Sequence, residues 1–102
     1  MIETQDSIGK WADEVFGSTG SNARIAGRAN EEMAELVRAA TSDAPIEKII
    51  EEAADVVIVL YRLAARNRID LHSIIDAKME INRTRKWEHD DTGCGYHLRD
   101  KN

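Results

Sequence analysis

Glu32 and Glu35 stand three residues apart, and so do Glu52 and Asp55. On a helix that spacing puts both carboxylates of a pair on one side. Between the pairs lies a short connection at 41–45 (TSDAP), which folds two helices back antiparallel. In such a hairpin, residues at equal height have numbers with a constant sum. Glu32 with Asp55 and Glu35 with Glu52 share one sum, and its midpoint falls between Asp43 and Ala44, inside the connection. The two pairs therefore stand level. Each spans roughly 4.5 Å along its helix, and packed helix axes lie roughly 8–10 Å apart. Four carboxylates at that separation reach one or two small cations. All the ligands are oxygen donors, which suits magnesium or manganese and argues against zinc or copper. No histidine falls in the cluster, which argues against a ferritin-like di-iron centre. A lone ExxE is most often a pair of surface acids in salt bridges. Two pairs in register across a turn are harder to explain that way.

A second set of residues offers the opposite charge. Leu71, Ile74 and Ile75 begin an apolar stripe, and Lys78, Asn82 and Arg85 continue it in the same direction. An apolar face that turns polar without changing direction reads as a pocket wall. Its cations and amide could grip the oxygens of a phosphate chain. The plainer reading is a helix end emerging into solvent with its long side chains snorkelling. The charge distribution shows the same division. From Glu31 to Asp55 there are eight acids and two bases, and from Arg62 to Lys86 seven bases and three acids. A protein that holds a cation and a polyanion together would look like this, as would two solvated faces of opposite sign.

The elements that must carry these residues are helices. The chain has 102 residues, one proline and six glycines, with few aromatics, a composition for one all-α domain. Four helices are predicted. The first covers 4–16 and is broken by the GSTG at 17–20. The second is capped by Ser21 or Asn22 and reaches Ala40. The third has Asp43 as its cap and Pro45 in its first turn, and reaches Arg66. The fourth is capped by Asp70 and ends near Lys86. The second helix shows an apolar stripe of Ile25, Ala29, Met33, Leu36, Val37 and Ala40, with Glu32 on its edge. The third is apolar nearly all round beyond Asp55, so it is expected to be buried centrally or against a second subunit. Isolated charges at the start of that stretch, Glu52 and Asp55, are costly unless paired or bound to metal. A four-helix bundle-like protomer completed by oligomerisation is the expected architecture. The helical domain is expected over 1–87, with a polar tail over 88–102.

EEMAE at Glu31–Glu35, EEAAD at Glu51–Asp55 and KMEINRTRKW at Lys78–Trp87 resemble the MazG-like all-α nucleoside triphosphate pyrophosphatases. The related dCTP and dUTP pyrophosphatases share the acidic motifs. The likeness runs from about residue 25 to 87, and K-x-x-x-N-x-x-R-x-W makes the combination specific. It implies that Glu32, Glu35, Glu52 and Asp55 bind magnesium. It implies cleavage between the α- and β-phosphates, giving a monophosphate and pyrophosphate, with Lys78, Asn82 and Arg85 on the phosphates. It also implies a dimer or tetramer with sites near subunit interfaces. Unlike the two-unit MazG proteins, this chain carries one MazG-like unit.

The residues are consistent with that chemistry. A triphosphate would be repelled by the acids unless a cation bridged carboxylates and phosphates. Glu35 is the first candidate for the base that takes a proton from the attacking water, with Glu32 beside it. Among Trp11, Phe16, Tyr61 and Trp87, Trp11 on the amphipathic first helix is the best candidate to stack on a nucleobase. Phe16 and Tyr61 read as core, and Trp87 as an anchor for the tail. His89, Cys94 and His97 are too scattered for a zinc site.

The net charge of -5 lacks the pull of a nucleic-acid binder. The single cysteine leaves no intramolecular disulfide. The absence of an apolar leader or long apolar run makes a cytoplasmic protein without a membrane partner the default. Two other functions fit some of these features: a nucleotide or metal sensor without turnover, and a helical oligomerisation module. The basic stripe of the fourth helix argues against the module.

Overall fold

The computed structural model describes residues 2–18, 20–85, 87–89 and 95–97; at 87–89, 96 and 97 it describes the backbone alone. Four helices follow in order, α1 (Gln5–Phe16), α2 (Asn22–Ala40), α3 (Ile46–Arg66) and α4 (Leu71–Thr84), then two short strands, β1 (Trp87–His89) and β2 (Gly95–His97). The chain forms two compact units, Met1–Leu71 and His72–Asn102. No described helix is long and apolar enough to cross a membrane.

In the first unit α3 is the central element, and both α1 and α2 pack on it. The helix ends show why they form where they do. Thr4 caps α1 in a capping box: its hydroxyl accepts from the Ser7 amide at 3.1 Å, and the Ser7 hydroxyl accepts from the Thr4 amide at 2.8 Å. Gly17, at φ 79°, ends the helix in a conformation that favours glycine. Ser21 caps α2 by accepting from the Arg24 amide. At its far end the hydroxyls of Thr41 and Ser42 donate to the carbonyls of Val37 and Ala39, so the connection satisfies carbonyls that the helix leaves open.

The start of α3 differs from expectation. Pro45 stands at the N-cap, not in the first turn, and Asp43 makes no side-chain cap. Proline cannot donate an amide, so it fits just where the helix has no acceptor to offer. The end of α3 is a Schellman turn. The Arg68 amide donates to Ala65 and the Ile69 amide to Ala64, with Arg68 itself at φ 56°. Gln5 then ties the start of α1 to this connector, donating to the Ile69 carbonyl and accepting from the Leu71 amide, both at 2.8 Å.

The core is small: Ala12, Ile25, Ala29 and Val56 are its buried apolar residues among those described. Gly9 lets α1 approach α3 closely, since a Cβ there would fall 2.5 Å from the Ala65 Cβ. The buried residues of α2 are Ile25, Ala29 and Glu32, a correction to the apolar stripe. Met33 and Val37 are exposed, because the carboxylate of Glu32 takes the place in the seam that the stripe would give to an apolar side chain.

In the second unit, α4 buries none of its described residues, and Ile74 and Ile75 are exposed. The helix ends at Thr84, with the Arg85 amide still donating to the Asn82 carbonyl. β1 and β2 pair antiparallel, Trp87 opposite His97 and Glu88 opposite Tyr96. This hairpin was not expected, because three-residue strands are too short to show alternation.

Candidate active site

The hairpin of α2 and α3 brings the acids together as their register predicts. Glu32, Glu52 and Asp55 each offer a carboxylate oxygen within 4.8 Å of the others. Glu32 and Glu52 are 6% and 9% exposed, while Asp55 and Glu35 are exposed. Glu35 lies outside the tight trio but beside Glu32. Burial, first of all, pushes the Glu32 carboxyl above its usual range. Repulsion from Glu35 and Asp55 and a hydrogen bond with Glu35 push the same way, and Arg28 opposes them.

Two cations that the motif reading passed over hold this cluster. Arg28 meets Glu32 at 2.5 Å and Glu31 at 2.8 Å. Lys48 meets Glu52 at 3.0 Å, and the hydrogen bond to Glu52 raises the lysine's pKa. Each cation stands four residues before its acid. Because the helices run antiparallel, Arg28 and Lys48 lie at opposite ends of the cluster. The i, i+4 spacing was visible in the sequence and is the signal that could have found them.

The cations do not satisfy everything. Glu52 Oε2 is buried and has no hydrogen-bond partner. A buried carboxylate oxygen without a donor is costly, and three converging oxygens next to it form a donor set for a hard divalent cation. The residues present therefore fit such an ion: Glu32, Glu52 and Asp55 would hold it, with Glu35 at the edge.

Beside the acids opens a cavity of about 290 Å³. Trp11, Ala12 and Phe16 of α1 wall it, Arg28 and Glu32 come from α2, and Asp55 and Arg62 from α3. Trp11 and Phe16 meet edge to face, with ring centres 5.6 Å apart at 87°. Arg62 lies over the Phe16 ring at 5.0 Å. Trp11 is thus beside the cluster. Phe16 is a wall of the cavity rather than core: it is exposed, since α1 ends there and its ring turns onto Trp11 and Arg62. Tyr61 is half-buried. Nothing in the sequence pattern marked Arg62.

Lys78, Asn82 and Arg85 belong to the second unit. Lys78 and Arg85 are exposed, and the Asn82 amide lies 3.8 Å from the Met79 sulfur. Cys94 and Lys86 lie outside the described residues, as do the side chains of Trp87, His89 and His97.

Known proteins are similar to this chain in sequence and fold. The sequence model of the MazG-like family matches residues 30–94. A dATP/dGTP diphosphohydrolase of Cyanophage S-2L is 31% identical over 98 residues, covering 96% of this chain and 88% of that protein. A dATP/dGTP diphosphohydrolase of Salmonella phage PMBT28 is 33% identical over 100 residues, but this chain spans only 32% of its length. A solved structure of the Cyanophage S-2L MazG-like pyrophosphohydrolase, bound to dGDP and three catalytic Mn²⁺ ions per active site, superposes with a TM-score of 0.75 at 29% identity. That match covers 95% of this chain and 91% of the other. On its fold, its registered acidic motifs and these relatives, the chain belongs to the MazG-like family.

Proposed function

We propose that the chain is a divalent-metal-dependent nucleoside triphosphate pyrophosphohydrolase of the cytoplasm. It takes a purine deoxynucleoside triphosphate and releases the monophosphate and pyrophosphate, a reaction suited to clearing the nucleotide pool. The observation that carries this reading is the level cluster of Glu32, Glu52 and Asp55, with one buried oxygen of Glu52 left without a donor. The names of the phage relatives and the dGDP in the solved structure support the substrate class. The all-oxygen donor set supports magnesium as the working ion, with manganese able to replace it.

A divalent cation held by Glu32, Glu52 and Asp55 would offset the repulsion between the acids and a triphosphate and stabilise charge on the phosphoryl oxygens. The chain's own residues do the rest. Glu35, exposed at the edge of the trio, accepts the proton of the water whose oxygen attacks the α-phosphorus. The bond from that phosphorus to the bridging oxygen breaks, and pyrophosphate leaves. Glu32 stands beside Glu35, one turn earlier on α2. Lys78, Asn82 and Arg85 are assigned to the phosphates on their motif. Trp11, half exposed in the cavity wall, stacks on the base.

The protein works as a dimer or tetramer. Large apolar side chains at Met33, Val37, Ile46, Ile50 and Val57 are exposed on α2 and α3, as on helices that meet a second copy. Light scattering at micromolar concentration checks this, and a monomer would contradict it.

The test of the reaction is to incubate the protein with each canonical nucleotide and magnesium or manganese, and to identify the products. Monophosphate with pyrophosphate is expected. Diphosphate with phosphate would place the protein in another reaction class. Absence of product with every nucleotide would leave a sensor or an oligomerisation module. Glu35→Gln should abolish turnover and keep the helical circular dichroism; near-native activity in that variant would remove Glu35 from the chemistry.

A further inference from the structure

The cavity beside the acids ends on a cation that the reaction does not use. Arg62 stands seven residues beyond Asp55 on α3. Seven residues are two turns, so the two share a face of the helix and lie roughly 10.5 Å apart along it. That is close to the reach from the α-phosphate of an extended nucleotide to the far edge of its base. Trp11 and Phe16, the aromatic corner, line the same cavity. The cavity, about 290 Å³, is at the small end of ligand sites, which begin at roughly 300 Å³, and it suits a base and sugar better than a whole triphosphate.

The two arginines of the cavity are differently engaged. Arg28 is committed to Glu31 and Glu32. Among the described residues no carboxylate pairs with Arg62; its guanidinium lies against the Phe16 ring. Stacking on a ring fixes the plane of a guanidinium and leaves its N–H edge for acceptors. Two adjacent acceptors in one plane match that fork. Guanine presents such a pair at O6 and N7, whereas adenine presents an acceptor at N7 beside the N6 donor, and pyrimidines have no N7. The carboxylates of the cavity are Glu32 and Asp55. Asp55 is two turns of α3 away, too far to accept from adenine's amino group at the Arg62 end.

We propose that Arg62 selects guanine over adenine, donating two hydrogen bonds to O6 and N7 while Trp11 and Phe16 hold the ring. The assignment rests on the pyrophosphohydrolase reading above and adds a base preference to it. It places guanine's N1 and N2 donors toward the solvent-exposed side of Trp11.

Two measurements test it. In the first, the unaltered protein with manganese is given dGTP, dITP, 7-deaza-dGTP and dATP. dGTP and dITP keep both acceptors and should show similar kcat/KM. 7-Deaza-dGTP lacks N7 and dATP has the N6 amino donor where guanine has the O6 acceptor, so both should be worse by roughly ten- to a hundredfold, the usual worth of a bidentate base contact. In the second, Arg62→Gln is titrated with dGDP and with dADP in manganese, following tryptophan fluorescence. The ratio of their Kd values should collapse toward one. Equal kcat/KM for dGTP and 7-deaza-dGTP in the unaltered protein would overturn the assignment, and this result does not depend on the variant folding. An equal loss of dGDP and dADP binding in Arg62→Gln would overturn it too, and would put Arg62 on the phosphates. Failure of the unaltered protein to release pyrophosphate from any nucleotide is a separate outcome. It would remove the pyrophosphohydrolase reading, and the assignment with it.

Discussion

The α2–α3 hairpin has a seam and an outside, and their polarity is inverted. The seam buries two carboxylates, Glu32 and Glu52, among Ile25, Ala29 and Val56. The outside carries Met33, Val37, Ile46, Ile50 and Val57 in solvent, with Ile46 at 65% exposure and Ile50 at 62%. An ordinary helical pair does the reverse. Burying an incompletely paired carboxylate is costly, and exposed apolar patches are uncommon on monomers. The inversion makes sense if each surface has a partner: a cation for the seam and a second copy of the chain for the outside. One connection, at 41–45, sets both, because the register that levels the acids also fixes which apolar residues face away.

Separating the two surfaces is the way to break this comparison. The largest effect is expected from the seam. Glu52→Ala should lower pyrophosphate release by roughly a thousandfold, in line with losing a group that stabilises developing charge. Light scattering should show the oligomer unchanged. Ile50→Glu should do the opposite, giving a monomer by light scattering while Mn²⁺ affinity stays within a few-fold. A variant at either site that changes both readouts equally would mean that the two surfaces are one.

A smaller effect sharpens the claim that the seam is shaped for a ligand and not for stability. Without metal, the Glu32 carboxyl is held above its ordinary value of 4.5, chiefly by burial. The folded state therefore binds this proton more tightly than the unfolded state does. This group's share of the stability falls as pH rises from about 4.5 through the raised value, then levels off. Glu32→Gln in chelator should be more stable than the unaltered protein at pH 7, and the advantage should vanish by pH 4.5, as measured by urea denaturation. The smallest effect lies away from the hairpin seam. Arg68 adopts φ 56° in the Schellman turn that ends α3, a conformation costing a non-glycine residue about 1–2 kcal/mol. Arg68→Gly should raise stability by about 1 kcal/mol, less what glycine's freer unfolded chain takes back. The same denaturation experiment checks it.

Much of the seam was legible before the fold was known. The i, i+3 pairs, the common level of Glu32 with Asp55 and the turn between Asp43 and Ala44 need only helical geometry. The end of α1 followed from the GSTG at 17–20 and the start of α2 from Ser21, whereas Thr4 was read as the first residue of α1 and is its cap. The parts that were not legible depend on side-chain position across helices. Phe16 looked like core because it is aromatic and near a helix end; only the packing of α1 on α3 brings Arg62 over its ring. Arg62 was one base among seven from Arg62 to Lys86, and what distinguishes it is a ring from another helix. Glu32 was placed on the edge of an apolar stripe. The seam runs through it instead, because a carboxylate and its Arg28 partner replaced the apolar contacts that the periodicity assumed.

The central claim is that the converging oxygens of Glu32, Glu52 and Asp55 are a divalent-cation site. Isothermal titration calorimetry of Mn²⁺ into the chelator-treated protein and its Glu52→Gln variant, without nucleotide, tests it most directly. The unaltered protein should bind the ion with a saturable heat, and Glu52→Gln, which keeps the shape of the side chain but not its charge, should lose that binding by at least about tenfold. Equal Mn²⁺ affinity in the two proteins would contradict the account.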